Sequence, residues 1–282
     1  MLCAIAMPLP AATAAEQLAA GRDALQRGEA EKAVDFFSKA VALQPNDAAA
    51  HYLLGVSYRE QAMQAGMFER PSLAQKSRPE FERAVELDPN HIDARFALVT
   101  YYLLAPGFMG GGEDKAQAQA AEIKRRNPIE GHRAYANIYA HDNKNDLARK
   151  EYVDAVRENP TSARAHYLLG AYLMSENEKN WTGSLQELET AVKLDPTYMP
   201  TYMRIGQHAV RSGSNNARGE ESLRKYLGYK PTESEPKLSA AWYSLGQLQQ
   251  RQGKNADAKQ SYLNALKVAP NDKDASEALK KL

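Results

Sequence analysis

Residues Ser239–Pro270 read SAAWYSLGQLQQRQGKNADAKQSYLNALKVAP, and their spacing decides the fold. Ala258, Tyr262 and Ala265 stand twelve, eight and five residues before Pro270, so small, large and small side chains share one stripe of a helix. Pro270 then ends that helix, because it has no amide donor and pushes its predecessor out of the α region. Upstream, Leu245-Gly246 sets a large-then-small pair on a first helix, and Gly253 marks the turn between the two.

The same register recurs along the chain. Pro45, Pro89, Pro128, Pro160, Pro196 and Pro231 each follow a small residue by twelve positions: Ala33, Ser77, Ala116, Ala148, Ser184 and Gly219. Phe37, Phe81, Ala120, Tyr152, Leu188 and Leu223 lie eight before the same prolines. The first-helix pair returns as Ala20-Gly21, Leu54-Gly55, Leu98-Val99, Tyr135-Ala136, Leu169-Gly170 and Ile205-Gly206. Self-similarity at a period of roughly 34 residues predicts helix–turn–helix units stacked on one another, each burying its stripe only against its neighbours.

With Trp242, Leu245-Gly246, Gly253, Ala258, Tyr262, Ala265 and Pro270, the last unit resembles the tetratricopeptide repeat family. The resemblance implies an all-α, right-handed α-solenoid of about seven such units, at about 14–47, 48–91, 92–128, 129–162, 163–198, 199–234 and 239–272, with residues 273–282 as a capping helix. Three departures stand out. Extra residues fall within Arg59–Glu80, within Leu104–Glu113 and near Asn177–Trp181, all on the turn inside a unit. The stretch from Gly228 to Pro236 is too rich in breakers to be helix and is a candidate hinge.

Lys plus Arg number 36 against 35 for Asp plus Glu, so no global charge argues for nucleic acid. No apolar run reaches the roughly 18–20 residues of a transmembrane helix. Residues 1–14 read as a signal peptide, truncated at its start: MLCAIAMPLPAATA is uncharged and ends in the A-x-A type site Ala12-Thr13-Ala14. That predicts a mature start near Ala15 or Glu16 and a periplasmic or secreted protein, the alternative being cytoplasmic. Cys3, the single cysteine, would leave with the leader.

Catalytic and metal constellations are not found, and no cofactor is expected. His51, His132 and His166 share the fourth position of their units, which points to packing rather than ligation. The run Gly110-Gly111-Gly112-Glu113-Asp114-Lys115 fails as a phosphate loop: no Gly-Lys-Ser/Thr ends it, and its acids would repel phosphate. Met67, Phe68, Phe108 and Met109 on the inserted turns form an apolar edge candidate, expected to pack the two insertions together.

The family resemblance implies a concave surface lined by set positions of each unit. These give Tyr52, Arg59, Phe96, Arg133, Asn137, Arg164, Tyr167, Arg211, Tyr243 and Arg251 as groove candidates. Tyrosine and arginine supply contact area with directional hydrogen bonds and are enriched in binding hot spots. The family's carboxylate clamp is not expected. Arg133, Asn137 and Arg204 match it, but Leu168 and Pro200 replace an Asn and a Lys. The expectation is therefore a non-enzymatic scaffold for a protein or extended peptide. The alternatives are a small-ligand or enzyme-accessory role at residues 59–80 and 104–113, or a structural subunit assembling by its edge or convex face.

Overall fold

The computed structural model describes residues 12–282, and among them it holds fifteen α-helices, one short 3-10 turn at Gly107–Met109 and no strand. Two compact units divide the chain. The first comprises the described residues through Leu25 with Glu29–Asp88, and carries α1 (Ala14–Gln26), α2 (Ala30–Leu43), α3 (Ala48–Gln64) and α4 (Arg70–Leu87). The second comprises Gln26–Gly28 and Pro89–Leu282. Its helices are α5 (Ile92–Leu104), α6 (Glu113–Arg126), α7 (Pro128–His141), α8 (Asn145–Glu158), α9 (Ala163–Leu173), α10 (Trp181–Leu194), α11 (Pro200–Ser212), α12 (Asn216–Leu227), α13 (Leu238–Arg251), α14 (Asn255–Val268) and α15 (Lys273–Lys280). Consecutive helices from α2 to α4 in the first unit, and from α5 to α15 in the second, pack on one another and are joined by short turns.

The repeat prolines set the helix ends. Gln44, Asp88, Asn127, Asn159, Asp195 and Ala269 each precede a repeat proline and each leave the α region, with φ from −142° to −127°. The next helix is then capped from its own sequence. Asp47 accepts from the amides of Ala49 and Ala50, Asn127 from Glu130, Ser162 from Ala165 and Asp272 from Ala275. Between the helices of a pair, Gly213 and Gly253 hold φ of +74°, the left-handed conformation that ends a helix at low cost without a Cβ.

The large-then-small pair has a packing cause. A Cβ added to Gly21 would lie 2.6 Å from the Phe37 ring, one on Gly55 2.6 Å from Phe81, one on Gly206 2.3 Å from Leu223 and one on Gly246 2.5 Å from Tyr262. The first-helix glycine is thus the socket for the large residue eight before the proline. In the third repeat the sizes are exchanged: Val99 stands in the glycine position, Ala120 in the large one, and both are fully buried. Volume is conserved while the order is reversed.

A second repeated device uses the fourth position. His51 Nδ1 meets Glu80 Oε2 at 2.6 Å and its Nε2 meets the Pro45 carbonyl at 3.0 Å. His166 repeats this with Glu187 at 2.6 Å and the Pro160 carbonyl at 3.0 Å. Other residue types do the same job. Arg95 donates to the Pro89 carbonyl at 2.9 Å and to Gln119 at 2.8 Å, and Tyr202 donates to the Pro196 carbonyl at 3.0 Å while accepting from Lys225 at 2.6 Å. His132 lies only four residues after its proline instead of six, and it bonds Glu151 and Glu158 instead. Each latch ties a first helix to its second helix, and four of the five also reach the preceding helix end. Among the described residues no group of three or more His, Cys, Asp or Glu is placed to hold a metal.

Several expectations change. Residues 59–80 are mostly helix, not an inserted loop: α3 and α4 are lengthened, and only residues 65–69 turn. Arg-Glu-Gln-Ala-Met-Gln and Leu-Ala-Gln-Lys favour helix, and Pro71 sits in the first turn of α4, where its missing amide costs little. The two insertions do not bury their apolar tips, since Phe68 is 94% and Phe108 89% exposed. Backbone bonds from Met109 and Gly111 to Pro106 O and from Gly112 to Tyr102 O close the second turn and leave Phe108 outside it.

Residues 228–236 are non-helical as expected but are tied down. Tyr226 donates to the Pro236 carbonyl at 2.6 Å, and Glu235 accepts from Tyr229, from the Thr232 amide and from the Thr232 hydroxyl. Most of the expected leader, including Cys3, lies outside the described residues. Thr13 is described, and it caps α1. Its amide donates to Glu16 Oε2 at 2.7 Å, and the Glu16 amide donates to Thr13 Oγ1 at 3.3 Å, a reciprocal capping box. These bonds from the Thr13 backbone and side chain hold the Glu16 carboxyl below its ordinary range.

Candidate functional site

In the second unit α5 packs on α7, α7 on α9 and α11 on α13, so first helices share one face. Glu130, on the first turn of α7, is its electrostatic centre. The side chain is buried, and it accepts from Arg164 Nε at 2.6 Å and from Arg133 Nη1 at 3.0 Å. Burial pushes the Glu130 carboxyl up, but Arg164 and Arg133 outweigh it and leave the group below the ordinary carboxylate range. Arg164 in turn donates to the Tyr198 hydroxyl at 2.5 Å.

Aromatic faces complete the arrangement. The Arg133 guanidinium lies 3.8 Å from the Phe96 ring centroid, and Tyr167 meets Tyr198 edge to face at 5.3 Å. Arg164 and Arg204 flank the Tyr167 ring at 5.4 and 5.7 Å. Burial raises the Tyr167 phenol, yet Arg204, Arg164 and Arg133 together bring it below the usual tyrosine value. Tyr152, beneath them, has no such surplus of cations, and burial drives its phenol up to about 12.

These groups line a pocket of about 420 Å³ formed by Asp93, Glu130, Arg133, Arg164, Tyr167, Tyr198 and Pro200, walled by Thr232, Ser234, Glu235 and Pro236. A second pocket of about 320 Å³ lies between α11 and α13, lined by Arg204, Gln207, Val210, Arg211, Ala240, Tyr243, Ser244 and Gln247.

The structure thus brings Phe96, Arg133, Arg164 and Tyr167 into one network, and places Arg211 and Tyr243 on the second pocket. Asn137 stands half-buried one turn beyond Arg133. Arg211 pairs with Glu176 at 2.7 Å and lies over Trp181. Arg251 is committed internally, donating to the Val210 and Ala209 carbonyls at the end of α11. In the first unit, Tyr52 packs on Phe81 and Arg59 lies 3.8 Å from Glu60.

Tyr198 and the 232–236 wall were not among the candidates. One signal was present for Tyr198: the Glu130–Arg164 and Arg164–Tyr198 bonds both span 34 residues, one repeat.

Stacked helix pairs with an Arg/Tyr-lined first-helix face define a helical-repeat protein of the α-solenoid class. Family models described as TPR repeat and tetratricopeptide repeat match residues 21–61, 133–198 and 239–272. The chain is a tetratricopeptide repeat protein. Such repeats in general mediate protein–protein interaction and act as non-enzymatic scaffolds.

Among curated proteins it is similar to the general transcriptional corepressor ssn6 of Schizosaccharomyces pombe, at 25% identity over 132 residues, 47% of this chain and 11% of that protein. A structure of the human IFIT1 dimer with m7Gppp-AAAA matches with TM-score 0.59 at 20% identity, over 90% of this chain and 58% of that chain. The APC/C hetero-tetramer Cut9-Hcn1 matches with TM-score 0.52 at 14% identity, over 97% of this chain and 49% of that chain. These structural likenesses show the fold, and this chain spans between a tenth and three fifths of the proteins it matches. No helix among the described residues is long and apolar enough to cross a membrane.

Proposed function

We propose that the protein is a non-enzymatic scaffold of a bacterial cell envelope that holds an extended peptide or protein segment along the face formed by α5, α7, α9, α11 and α13. The observation that carries this reading is the fixed Arg133–Glu130–Arg164–Tyr198 chain beside Tyr167. One buried carboxylate orients two guanidinium forks before any ligand arrives, which lowers the ordering cost of binding. Affinity capture from the native envelope tests it. Arg133→Ala combined with Tyr243→Ala weakens a captured partner by ~1–3 kcal/mol per anchor, while Phe68→Ser and Phe108→Ser leave it bound.

A second reading rests on the exposure of Phe68 and Phe108, each on an intra-repeat turn. If the two serine changes abolish capture and the groove changes do nothing, the protein assembles by that edge. The human IFIT1 structure holds a capped oligonucleotide, so single-stranded RNA is the counter-ligand: its displacing the captured protein would move the groove assignment to nucleic acid. Export rests on the Ala12-Thr13-Ala14 site. N-terminal sequencing of natively purified protein decides it. A start at Ala15 or Glu16 also deletes the Thr13 half of the capping box, whereas a chain retaining Met1 refutes processing.

A further inference from the structure

One aromatic of the fifth repeat has no counterpart in the others. Trp181 stands fifteen residues before Pro196, where the other six repeats carry Ala30, Ala74, Glu113, Asn145, Asn216 and Asn255 before their own prolines. Repeat packing therefore does not call for an indole there. Trp181 opens α10 and lines a pocket of about 300 Å³ together with Leu185, His208 of α11 and Asn215 of the α11–α12 turn. Thr182, Gln186 and Ser214 lie exposed at its rim. None of its residues belongs to the two pockets described above.

His208 sets the chemistry of this pocket. It is 1% exposed, its ring stands edge-on to Trp181 at 5.7 Å, and its Nε2 lies 2.9 Å from the Trp181 carbonyl. A carbonyl only accepts, so Nε2 carries the proton and Nδ1 of the neutral ring is left as an acceptor. Nδ1 is buried, and among the described residues no group donates to it. A buried acceptor without a donor forfeits its hydrogen bond to water and gains none in return. The other ionisable group in the wall is already satisfied: Glu189 accepts from Arg218 Nε at 2.7 Å and from Arg218 Nη2 at 3.0 Å. The pocket thus calls for a neutral ligand, with a hydrogen-bond donor for His208 on an aromatic body for Trp181 and Leu185. Its volume of about 300 Å³ is at the lower bound of the roughly 300–1,000 Å³ of ligand sites, which suits one ring system better than an extended chain.

We propose that this pocket binds an aromatic N–H or O–H group, an indole or a phenol, which donates to His208 Nδ1. The site stands apart from the groove reading above and holds whether or not that reading does. A free small molecule and a Trp or Tyr side chain of a partner protein carry the same chemistry.

The test titrates the full chain with indole and phenol, and with their donor-free analogues N-methylindole and anisole, read by calorimetry and by the nitrogen resonances of the histidine rings. Indole or phenol should bind saturably and move the His208 Nδ1 resonance, and its analogue should bind at least roughly tenfold more weakly. Trp181→Ala installs the residue of the first two repeats and keeps the backbone carbonyl that His208 uses, so it should fold as wild type by its melting curve and bind at least roughly tenfold more weakly. N-acetyl-tryptophanamide and N-acetyl-tyrosinamide separate the two sources: binding as tight as that of the bare ring assigns the site to a partner's side chain, and their exclusion assigns it to a free small molecule. Equal affinity for the ligand and its donor-free analogue, binding that Trp181→Ala leaves intact, or no saturable binding of indole or phenol overturns the proposal.

Discussion

The exchange of Val99 and Ala120 for the usual glycine and large residue makes the socket rule testable in another repeat. In the α11–α12 pair the socket is Gly206 and the knob is Leu223. Leu223→Ala removes three carbons from a fully buried site and is expected to cost ~2–5 kcal/mol. Gly206→Val adds three carbons. Its Cβ alone would lie 2.3, 2.5 and 3.0 Å from Leu223 Cγ, Cδ2 and Cδ1, so overpacking of ~1–3 kcal/mol is expected. The three nearest atoms all belong to Leu223, and truncating it removes them. The double variant should therefore cost at least ~1 kcal/mol less than the sum of the single changes, a coupling within the range for residues in contact. Urea melts followed by circular dichroism give the total. Hydrogen exchange at α11 and α12 amides reads the same change locally, as unfolding in a repeat array need not be all-or-none. Strict additivity, or a double variant worse than the sum, refutes the socket.

The latches predict interchangeable parts: His166→Tyr with Thr190→Lys puts a tyrosine six after one repeat proline and a lysine six before the next, the register of Tyr202 and Lys225, and should keep the wild-type melting temperature, while Glu187→Lys alone, which sets a lysine against His166, should lower it. Glu130 predicts acid sensitivity. Its folded carboxyl lies below the unfolded value of 4.5, so its stabilisation is complete above that pH and is lost as pH falls through the folded value. A melting series from neutral to acid should therefore show a shallower decline for Glu130→Gln than for wild type. Tyr152 acts at the other end: its phenol is raised from 10.0 to about 12, so its contribution holds below pH 10 and is lost between 10 and 12. Tyr152→Phe should flatten that alkaline limb.

The repeat register was legible because packing imposes it. A glycine socket, a large knob and a terminating proline are each forced by local sterics, and the sterics recur with the sequence. Helix against loop was harder at residues 59–80, where the extra residues lengthen α3 and α4 and both Pro71 and Pro79 are accommodated within α4. Likewise Thr13-Ala14-Ala15-Glu16 carries two readings, a cleavage site and a capping box, and only coordinates reveal the reciprocal bonds. At the site, residue types at lining positions pointed to Arg133, Arg164 and Tyr167. Whether an arginine is paired with a carboxylate depends on which one lies within hydrogen-bond distance, so the sequence did not separate Arg164, which meets Glu130, from Arg204, which meets Gln207, or reveal that Arg251 is spent on a helix end.

The latch and the groove are coupled by helix geometry. Fourth-position residues turn into the repeat, where His166 and Tyr202 meet a preceding proline's carbonyl and a side chain of the paired helix. The next residue along is rotated by about 100°, which takes Arg133 and Tyr167 onto the pocket wall. Two adjacent positions thus divide the work: one fixes how a first helix sits, the other presents chemistry on the face so positioned. The division is incomplete at Met203, which follows Tyr202 but is fully buried, and there the exposed role passes to Arg204. That displacement by one residue swings a guanidinium toward α13, where no carboxylate of the chain lines the pocket with it.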